Sequence, residues 1–266
     1  MNKHIDFTMR FFRLRPLLCC AALGLWLSVA PLAQAMAGEA LIAVATNFAD
    51  PMTALEADFE ARTGHSLTVT TGSTGKLYAQ IVRGAPFDVL LAADRARPER
   101  LEQEGEAVAG SRFSYAVGRL VLWGAQASLA GRDGLATLRA ADFRTLAIAN
   151  PDLAPYGAAA KQVLTKLALW DTLSPRIVMG QNAGQAFALV ATRNAELGLV
   201  ARTSVLSHGA VPGDWWAVPA DLHDPIIQDA VLMSRAANNP AAKAFMGYMQ
   251  SEDARAIMRR FGFEVD

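Results

Sequence analysis

Four short segments of the sequence combine small residues with hydroxyl, amide or phenol groups. Each lies where an apolar run typical of a strand gives way to a segment of helical period. They are Thr-Asn-Phe at 46–48, Gly-Ser-Thr-Gly at 72–75, Ala-Pro-Tyr-Gly at 154–157 and Gln-Asn-Ala-Gly at 181–184. The first N–H groups of a helix have no intrahelical partner and carry partial positive charge. Several converging helix starts can therefore hold an anion without any Lys or Arg.

Taken one at a time, each segment is explained by helix capping, because Ser, Thr and Asn are common N-cap residues. Repetition favours a site, since α/β proteins bind ligands beyond the carboxyl ends of their strands, where all of these segments would meet. The sequence therefore predicts an uncharged anion-binding site built from several loops.

A nucleotide-binding interpretation of the second segment is rejected. The run from Gly72 to Lys76 is similar in part to a P-loop, which also needs Gly at position 70 and Ser or Thr at position 77. Thr70 and Leu77 stand at those positions. Lys76 is interpreted as a solvated residue on the flank of a helix.

The sequence offers little for catalysis. The histidines at positions 4, 65, 208 and 223 are not at metal-ligand spacing, and the Gly-x-Ser-x-Gly nucleophile motif is missing. Asp94 and Asp224 are the acids considered for catalysis, and each is better interpreted as a helix cap or a hinge contact. We predict a binding protein rather than an enzyme, with no cofactor and no bound metal cation.

The first 37 residues have the order of a secretory signal peptide. Basic residues at 3, 10, 13 and 15 precede an apolar run at 17–32 and small-residue sites that end at Ala35 and Ala37. A membrane span needs about 20 apolar residues, so we expect cleavage after Ala35 or Ala37 and a periplasmic location. Both cysteines, Cys19 and Cys20, would be removed with the leader.

The mature chain is predicted to be mildly acidic. Residues 1–35 contain four of the 25 basic residues and one of the 25 acidic residues, which leaves 21 basic and 24 acidic. No basic patch stands out in the sequence, so nucleic acid is not an expected partner.

Short apolar runs alternate with longer segments of helical period, which indicates an α/β protein with a largely parallel sheet. Strands are predicted at 40–45, 66–71, 88–92, 115–123, 146–149, 177–179, 197–201 and 226–233. Helices are predicted at 48–62, 74–83, 98–104, 156–169, 183–193, 240–250 and 252–261. The long strands 115–123 and 226–233 favour two lobes, one built from both ends of the chain, and a single doubly wound sheet is the alternative. Trp215 and Trp216 are expected on opposite faces of a strand.

At these loops the chain resembles the periplasmic molybdate-binding proteins, a family of type II solute receptors of ABC importers. The likeness runs from about Ala40 to the C-terminus. Its motifs are AVATNF at 43–48, GSTGKLYAQI at 72–81, GAPFDVLLAAD at 84–94, SRFSYAVGRLVLW at 111–123, NPDLAPYG at 150–157, AELGLVA at 195–201 and PADLHDPIIQDAV at 219–231. The resemblance implies a two-lobed α/β fold, each lobe a mostly parallel sheet flanked by helices. Lobe I would comprise 38–117 and 226–266, and lobe II 118–225.

The resemblance also implies the ligand and its contacts. Molybdate or tungstate would lie dehydrated between the lobes, held by hydroxyl and amide groups with no balancing cation. The implied ligand-binding residues are Thr46, Asn47, Ser73, Thr74, Tyr156 and, through its backbone N–H, Ala183. Some members use a tyrosine just after the strand that corresponds to 197–200. Ala201 stands there, so Tyr156 is expected to supply the phenol.

The implied partners are the permease and the ATPase of an ABC importer, and the chain itself is expected to be a monomer. A receptor for sulfate or another tetrahedral oxyanion is the alternative. A periplasmic enzyme that acts on phosphate or sulfate esters is more distant, because fold alone does not fix function.

Overall fold

The computed structural model describes residues 37–125, 129, 132–209 and 214–265. The predicted leader falls almost wholly on residues 1–36, which lie outside the described residues. Residues 36–266 form one compact unit. Within the described residues, no helix has both the length and the apolar character that a membrane crossing requires.

The strands and helices alternate along the chain. The strands are β1 (Glu39–Ala45), β2 (Ser66–Gly72), β3 (Val89–Leu91), β4 (Phe113–Gly118), β5 (Leu120–Trp123), β6 (Leu146–Ala149), β7 (Ile177–Gly180), β8 (Leu197–Ala201), β9 (Trp215–Ala217) and β10 (Ile226–Leu232). The α-helices are α1 (Ala49–Thr63), α2 (Thr74–Val82), α3 (Ala96–Gln103), α4 (Gly134–Ala140), α5 (Pro155–Lys166), α6 (Trp170–Leu173), α7 (Ala183–Ala191), α8 (Arg202–Ser207), α9 (Pro240–Tyr248) and α10 (Glu252–Arg260). Short 3-10 helices occupy Thr46–Phe48, Ser174–Arg176, Ala220–Leu222 and Ser234–Ala236.

Two five-stranded sheets share one plan, with the orders β2-β1-β3-β10-β4 and β7-β6-β8-β5-β9. In the first sheet β1 pairs in parallel with β2 and β3, while β10 is antiparallel to β3 and β4. In the second sheet β6 is parallel to β7 and β8, while β5 is antiparallel to β8 and β9. One strand per sheet therefore opposes the others. The prediction of two mostly parallel lobes is confirmed, and the single doubly wound sheet is wrong.

Strand β1, an inner strand of the first sheet, is apolar on both faces because helices cover both sides. Ile42 and Val44 pack in a cluster with Phe59 of α1, whereas Ala43 between them packs in another cluster with Leu77 of α2. Successive side chains of a strand point to opposite faces, so a near-continuous apolar run is what a doubly covered strand requires.

The predicted single strand at 115–123 is wrong. It is two strands, because β4 ends at Gly118 in the first sheet and β5 begins at Leu120 in the second. The chain passes between the sheets at Arg119, whose carbonyl accepts a hydrogen bond from the Arg202 N–H at 2.9 Å. Each half of the run packs in its own sheet, so both halves are apolar and only Gly118 and Arg119 mark the crossing.

The tryptophan pair of β9 follows the predicted alternation. Trp216 packs with the cluster that contains Leu122, and Trp215 packs with the cluster that contains Val121 on the other face. Both indoles are half-buried. The short helices α4, α6 and α8 had no counterpart in the sequence-based prediction.

Candidate functional site

The four polar loops meet at one small cavity between the two sheets. Its lining residues are Ala45, Thr46, Asn47, Gly72, Ser73, Thr74, Ala93, Ala154, Pro155, Tyr156 and Ala183. All of the ligand-binding residues implied by the sequence are among them. The cavity volume is about 10 Å³, which is room for about one water.

The shared plan of the sheets explains why these loops meet. The loops after β1 and β2 come from the first sheet, and those after β6 and β7 occupy the equivalent positions of the second. Each loop follows the carboxyl end of a parallel strand, which is where ligands bind in α/β folds.

Helix capping explains the polar side chains of only two loops. The Ser73 hydroxyl accepts a hydrogen bond from the Lys76 N–H at 3.4 Å, and Asn182 Oδ1 accepts one from the Gln185 N–H at 2.8 Å. In the other two loops the N-cap positions are alanines, which make no side-chain cap. The polar groups beside those alanines, on Thr46, Asn47 and Tyr156, therefore do not occupy the N-cap positions of their own loops.

Two threonine hydroxyls are oriented by backbone donors. Thr46 Oγ1 accepts from the Gly184 N–H at 3.2 Å, which joins the β1 loop to the β7 loop across the lobes. Thr74 Oγ1 accepts from the buried Ala93 N–H at 3.0 Å. A hydroxyl has one proton and two lone pairs, so each of these groups keeps its proton to donate.

The start of α7 leaves a backbone donor. Gly184 N–H donates to Thr46, and Gln185 N–H donates to the Asn182 cap. The N–H of Ala183, the first residue of the helix, is the remaining donor of this turn. This is the group that the resemblance implies as a ligand contact.

The Asn47 amide and the Tyr156 phenol are linked through a residue that the sequence analysis missed. Asn47 Nδ2 donates to Gln228 Oε1 at 2.9 Å, and Gln228 Nε2 donates to the Tyr156 hydroxyl at 3.4 Å. Gln228 is fully buried on β10. Gln228 and Asp229 interrupt the apolar strand IIQDAVL, and this was the available signal, because buried polar groups require hydrogen-bond partners.

The lining is electrically neutral. None of the lining residues found in the described part of the chain carries a formal charge. Burial raises the pKa of the Tyr156 phenol well above its ordinary value, and this outweighs the opposing effects of Gln228, the Arg202 charge and Asn47. The phenol is therefore a neutral O–H donor at physiological pH.

A close backbone approach places the phenol. Gly118 of β4 lies so near Tyr156 that a Cβ on residue 118 would overlap the hydroxyl oxygen and would stand 2.9 Å from the ring carbon Cζ. Only glycine leaves room for the phenol here. Ala201, where some relatives have a tyrosine, is fully buried and is not among the lining residues.

The residues set aside in the sequence have ordinary structural roles. Asp94 accepts a hydrogen bond from the Arg97 N–H at 2.9 Å near the start of α3 and pairs with the Arg97 guanidinium. Asp224 exchanges hydrogen bonds with the Gln162 side chain just before β10. Lys76 is exposed. The interpretations of Asp94 as a cap and of Lys76 as a solvated residue are confirmed.

Two similar lobes with a polar cavity between them define a solute-binding protein. Residues 40–264 match the family model described as bacterial extracellular solute-binding protein. The chain therefore belongs to the bacterial extracellular solute-binding protein family.

Individual relatives are similar over nearly the whole described chain. The molybdate-binding protein ModA of Azotobacter vinelandii is 47% identical over 230 residues, which cover 86% of this chain and 91% of that protein. ModA of Rhodobacter capsulatus is 44% identical over 232 residues, covering 87% and 90%. The solved periplasmic molybdate-binding protein of Azotobacter vinelandii has a TM-score of 0.81 at 40% identity, covering 85% of this chain and 99% of that chain. The resemblance seen in the sequence motifs is confirmed.

Proposed function

We propose that this chain captures molybdate or tungstate between its two lobes and delivers it to an ABC importer. The observation that carries the proposal is the cavity lining, which brings neutral donors from four helix starts of both sheets to one point. The names of the relatives at 47% and 44% identity support the same ligand class for this chain.

The proposed contacts divide between the lobes. Lobe I, residues 38–117 and 226–266, contributes Thr46, Asn47, Ser73 and Thr74. Lobe II, residues 118–225, contributes the Tyr156 phenol and the Ala183 N–H. The open receptor first binds the anion on one lobe, and the other lobe then closes over it, so that the closed form docks on the permease.

A site made only of donors selects by protonation and size. A permanent dianion accepts every hydrogen bond that the site offers. A protonated phosphate brings an O–H that finds no acceptor, and burying an unpaired donor costs about 1 to 3 kcal/mol. Sulfate carries the same charge as molybdate and is excluded by its smaller size.

The remaining parts of the proposal concern location and partners. Residues 1–37 act as a cleaved leader, and the mature chain works in the periplasm as a monomeric receptor for a permease and its ATPase. It binds its ligand without transforming it and needs no cofactor. An assay with generic phosphate and sulfate esters is expected to show no turnover above the buffer rate.

The direct test is a thermal-shift comparison of the mature protein with molybdate, tungstate, sulfate and phosphate. A ligand at about 100 times its Kd adds about 2.7 kcal/mol to the free energy of unfolding, which raises Tm by about 5–10 °C for a chain of this size. We expect this shift with molybdate or tungstate and little with phosphate. The absence of a shift with both metal oxyanions would refute the proposal, and a larger shift with sulfate would favour the alternative receptor.

Matched variants of one helix start connect the shift to the cavity. Thr74→Ala removes a lining hydroxyl, whereas Lys76→Ala removes an exposed side chain two residues later. We expect the molybdate-induced shift to shrink in the first variant and to stay unchanged in the second.

A further inference from the structure

Gln228 connects the two lobes through a single buried amide. It lies on β10, where the chain has returned to the first sheet, and its side chain contacts Asn47, Tyr115 and Tyr156. Asn47 follows β1, Tyr115 lies in β4, and Tyr156 belongs to the second lobe at the start of α5. Gln228 does not line the cavity, but two of its three partners are residues proposed to contact the anion.

The orientation of this amide is fixed by its partners. Gln228 Oε1 accepts from Asn47 Nδ2 at 2.9 Å. It also lies 3.1 Å from the Tyr115 hydroxyl, whose single proton is shared with the Ala92 carbonyl oxygen at the same distance. The Asn47 donor therefore places the amide oxygen on its side, and the nitrogen faces the other way and donates to the Tyr156 hydroxyl at 3.4 Å.

This direction determines what the binding residues present to a ligand. The Tyr156 oxygen accepts from Gln228, so its own proton is left to donate. Asn47 uses one of its two amide protons on Gln228 and keeps the other. If the amide were reversed, the Tyr156 hydroxyl would donate to Gln228 and would present a lone pair to the anion.

We propose that Gln228 is a positioning residue that sets the direction of the hydrogen bonds at the oxyanion site, so that Asn47 and Tyr156 both donate to the ligand from opposite lobes. This inference rests on the proposed oxyanion-binding function. Gln228 would thus contribute to selectivity for an unprotonated anion without contacting the ligand itself.

The charged and titratable surroundings of Gln228 come from several elements. Tyr115 and Tyr156 contact it directly, Arg202 acts on Tyr156 through its charge, and Asp94 acts on Tyr115 in the same way. Asp229 follows on the same strand, and its carboxylate is held by Arg112 Nη1 and Ser114 Oγ, each at 2.7 Å. Neighbouring strand residues face opposite sides, so Asp229 does not substitute for the amide of Gln228.

Gln228→Glu tests the direction of the network. A protonated glutamate has the same layout as glutamine, with a carbonyl that accepts from Asn47 and an O–H that donates to Tyr156. An ionised glutamate can only accept hydrogen bonds. It would therefore accept one from the Tyr156 hydroxyl, which could then no longer donate to the anion, and it would add a negative charge beside the anion. Burial raises the pKa of such a carboxyl.

The measurement is calorimetric titration with molybdate between pH 6 and 9, in buffers of different ionisation enthalpy. We expect near wild-type affinity for the variant at the acidic end and a loss of about tenfold per pH unit above the pKa of the new carboxyl, since binding then requires one proton. Proton uptake should approach one per molybdate bound in Gln228→Glu and should be close to zero in the wild type.

Gln228→Met is the matched control, because it keeps a side chain of similar length without hydrogen bonds or a titratable group. We expect affinity to fall about 10- to 100-fold at every pH, with no proton uptake. Circular dichroism and thermal unfolding establish that both variants fold.

Three results separate the possible failures. A pH-independent affinity of Gln228→Glu that is as low as that of Gln228→Met, without proton uptake, would overturn the inference, because a purely structural role predicts the same loss in both variants. If Gln228→Glu does not fold, an affinity of Gln228→Met within twofold of the wild type overturns it instead. A wild-type protein that does not bind molybdate refutes the proposed function and not the geometry of the network.

Discussion

Replacing Gly118 by alanine should displace the Tyr156 phenol while leaving every side chain of the cavity lining unchanged. The added Cβ would overlap the phenol oxygen and would stand 2.9 Å from Cζ and 2.8 Å from Gln228 Nε2. Ordinary contact begins near 3.4 Å, so the ring carbon must move by about 0.5 Å and the hydroxyl by more. A shift of this size breaks the hydrogen bond from Gln228, which is already 3.4 Å long.

Two energies follow from this displacement. Overpacking a closely packed site costs about 1–3 kcal/mol of folding stability. Loss of one hydrogen bond to a charged ligand costs about 1.5–3 kcal/mol of binding free energy, which weakens affinity about 10- to 150-fold. Tyr156→Phe should show the affinity loss without the overpacking.

The double variant Gly118→Ala with Tyr156→Phe isolates the contact. Removing the hydroxyl relieves the worst overlap, so the alanine should destabilise the Phe background less than it destabilises the wild type. Urea unfolding gives the stabilities and calorimetric titration with molybdate gives the affinities. Gly247→Ala is the control, because a Cβ at this position of α9 meets nothing within 4 Å. Additive stability effects, or an unchanged affinity in Gly118→Ala, would refute the placement of the phenol.

Three further predictions concern the site, the pH response and a buried ion pair. Thr74→Ala should weaken molybdate binding by about 1–3 kcal/mol, because it removes the hydroxyl that the Ala93 N–H orients as a donor. Thr74→Ser retains a hydroxyl and should keep most of the affinity. Equal losses in both variants, measured by calorimetry, would contradict this assignment. Burial raises the pKa of Tyr115 and Tyr156 in the folded protein, so the unfolded chain releases those protons first and folding stability falls as pH rises past about 10. The loss is about 1.4 kcal/mol per pH unit for each tyrosine, and urea unfolding at pH 9, 10 and 11 should give a shallower decline for Tyr156→Phe; the same slope in both proteins would rule out its contribution. Asp229→Ala removes the buried carboxylate that Arg112 and Ser114 hold and should cost about 1–3 kcal/mol of stability in urea unfolding, although Arg112 keeps Glu102 as a partner. Removal of the exposed Glu252, the partner of Arg259, should have a much smaller effect, and an equally small effect at Asp229 would argue against a structural role for its ion pair.

Local sequence patterns predict much of the architecture and the loops that form the site. The alternation of apolar runs and helical segments predicts the strands of both sheets, because burial on both faces of a parallel strand requires continuous apolar residues. The loop residues Thr46, Thr74 and Tyr156 were recognisable because a helix start has a defined position in the sequence and unsatisfied backbone donors.

Contacts between residues far apart in the sequence could not be predicted in this way. The passage between sheets is marked only by Gly118 and Arg119 in an apolar run, because each half of the run is buried in its own sheet. Gln228 meets Asn47 across most of the chain length, and nothing local to either residue encodes that distance. The need for glycine at 118, at the end of β4 in the first sheet, is set by a phenol on α5, which follows a strand of the second sheet.

The interleaved order of the first sheet has a consequence for how the molecule folds. The second sheet uses β5 to β9, a continuous stretch of chain, whereas the first sheet places β10 between β3 and β4. Contacts between segments far apart in sequence form slowly, because closing the intervening loop costs entropy before the contacts are gained. The second sheet can therefore assemble while the first is still open at its centre. Insertion of β10 brings Gln228 to Asn47 and Tyr156, so the hydrogen bonds that link these two lining residues form late.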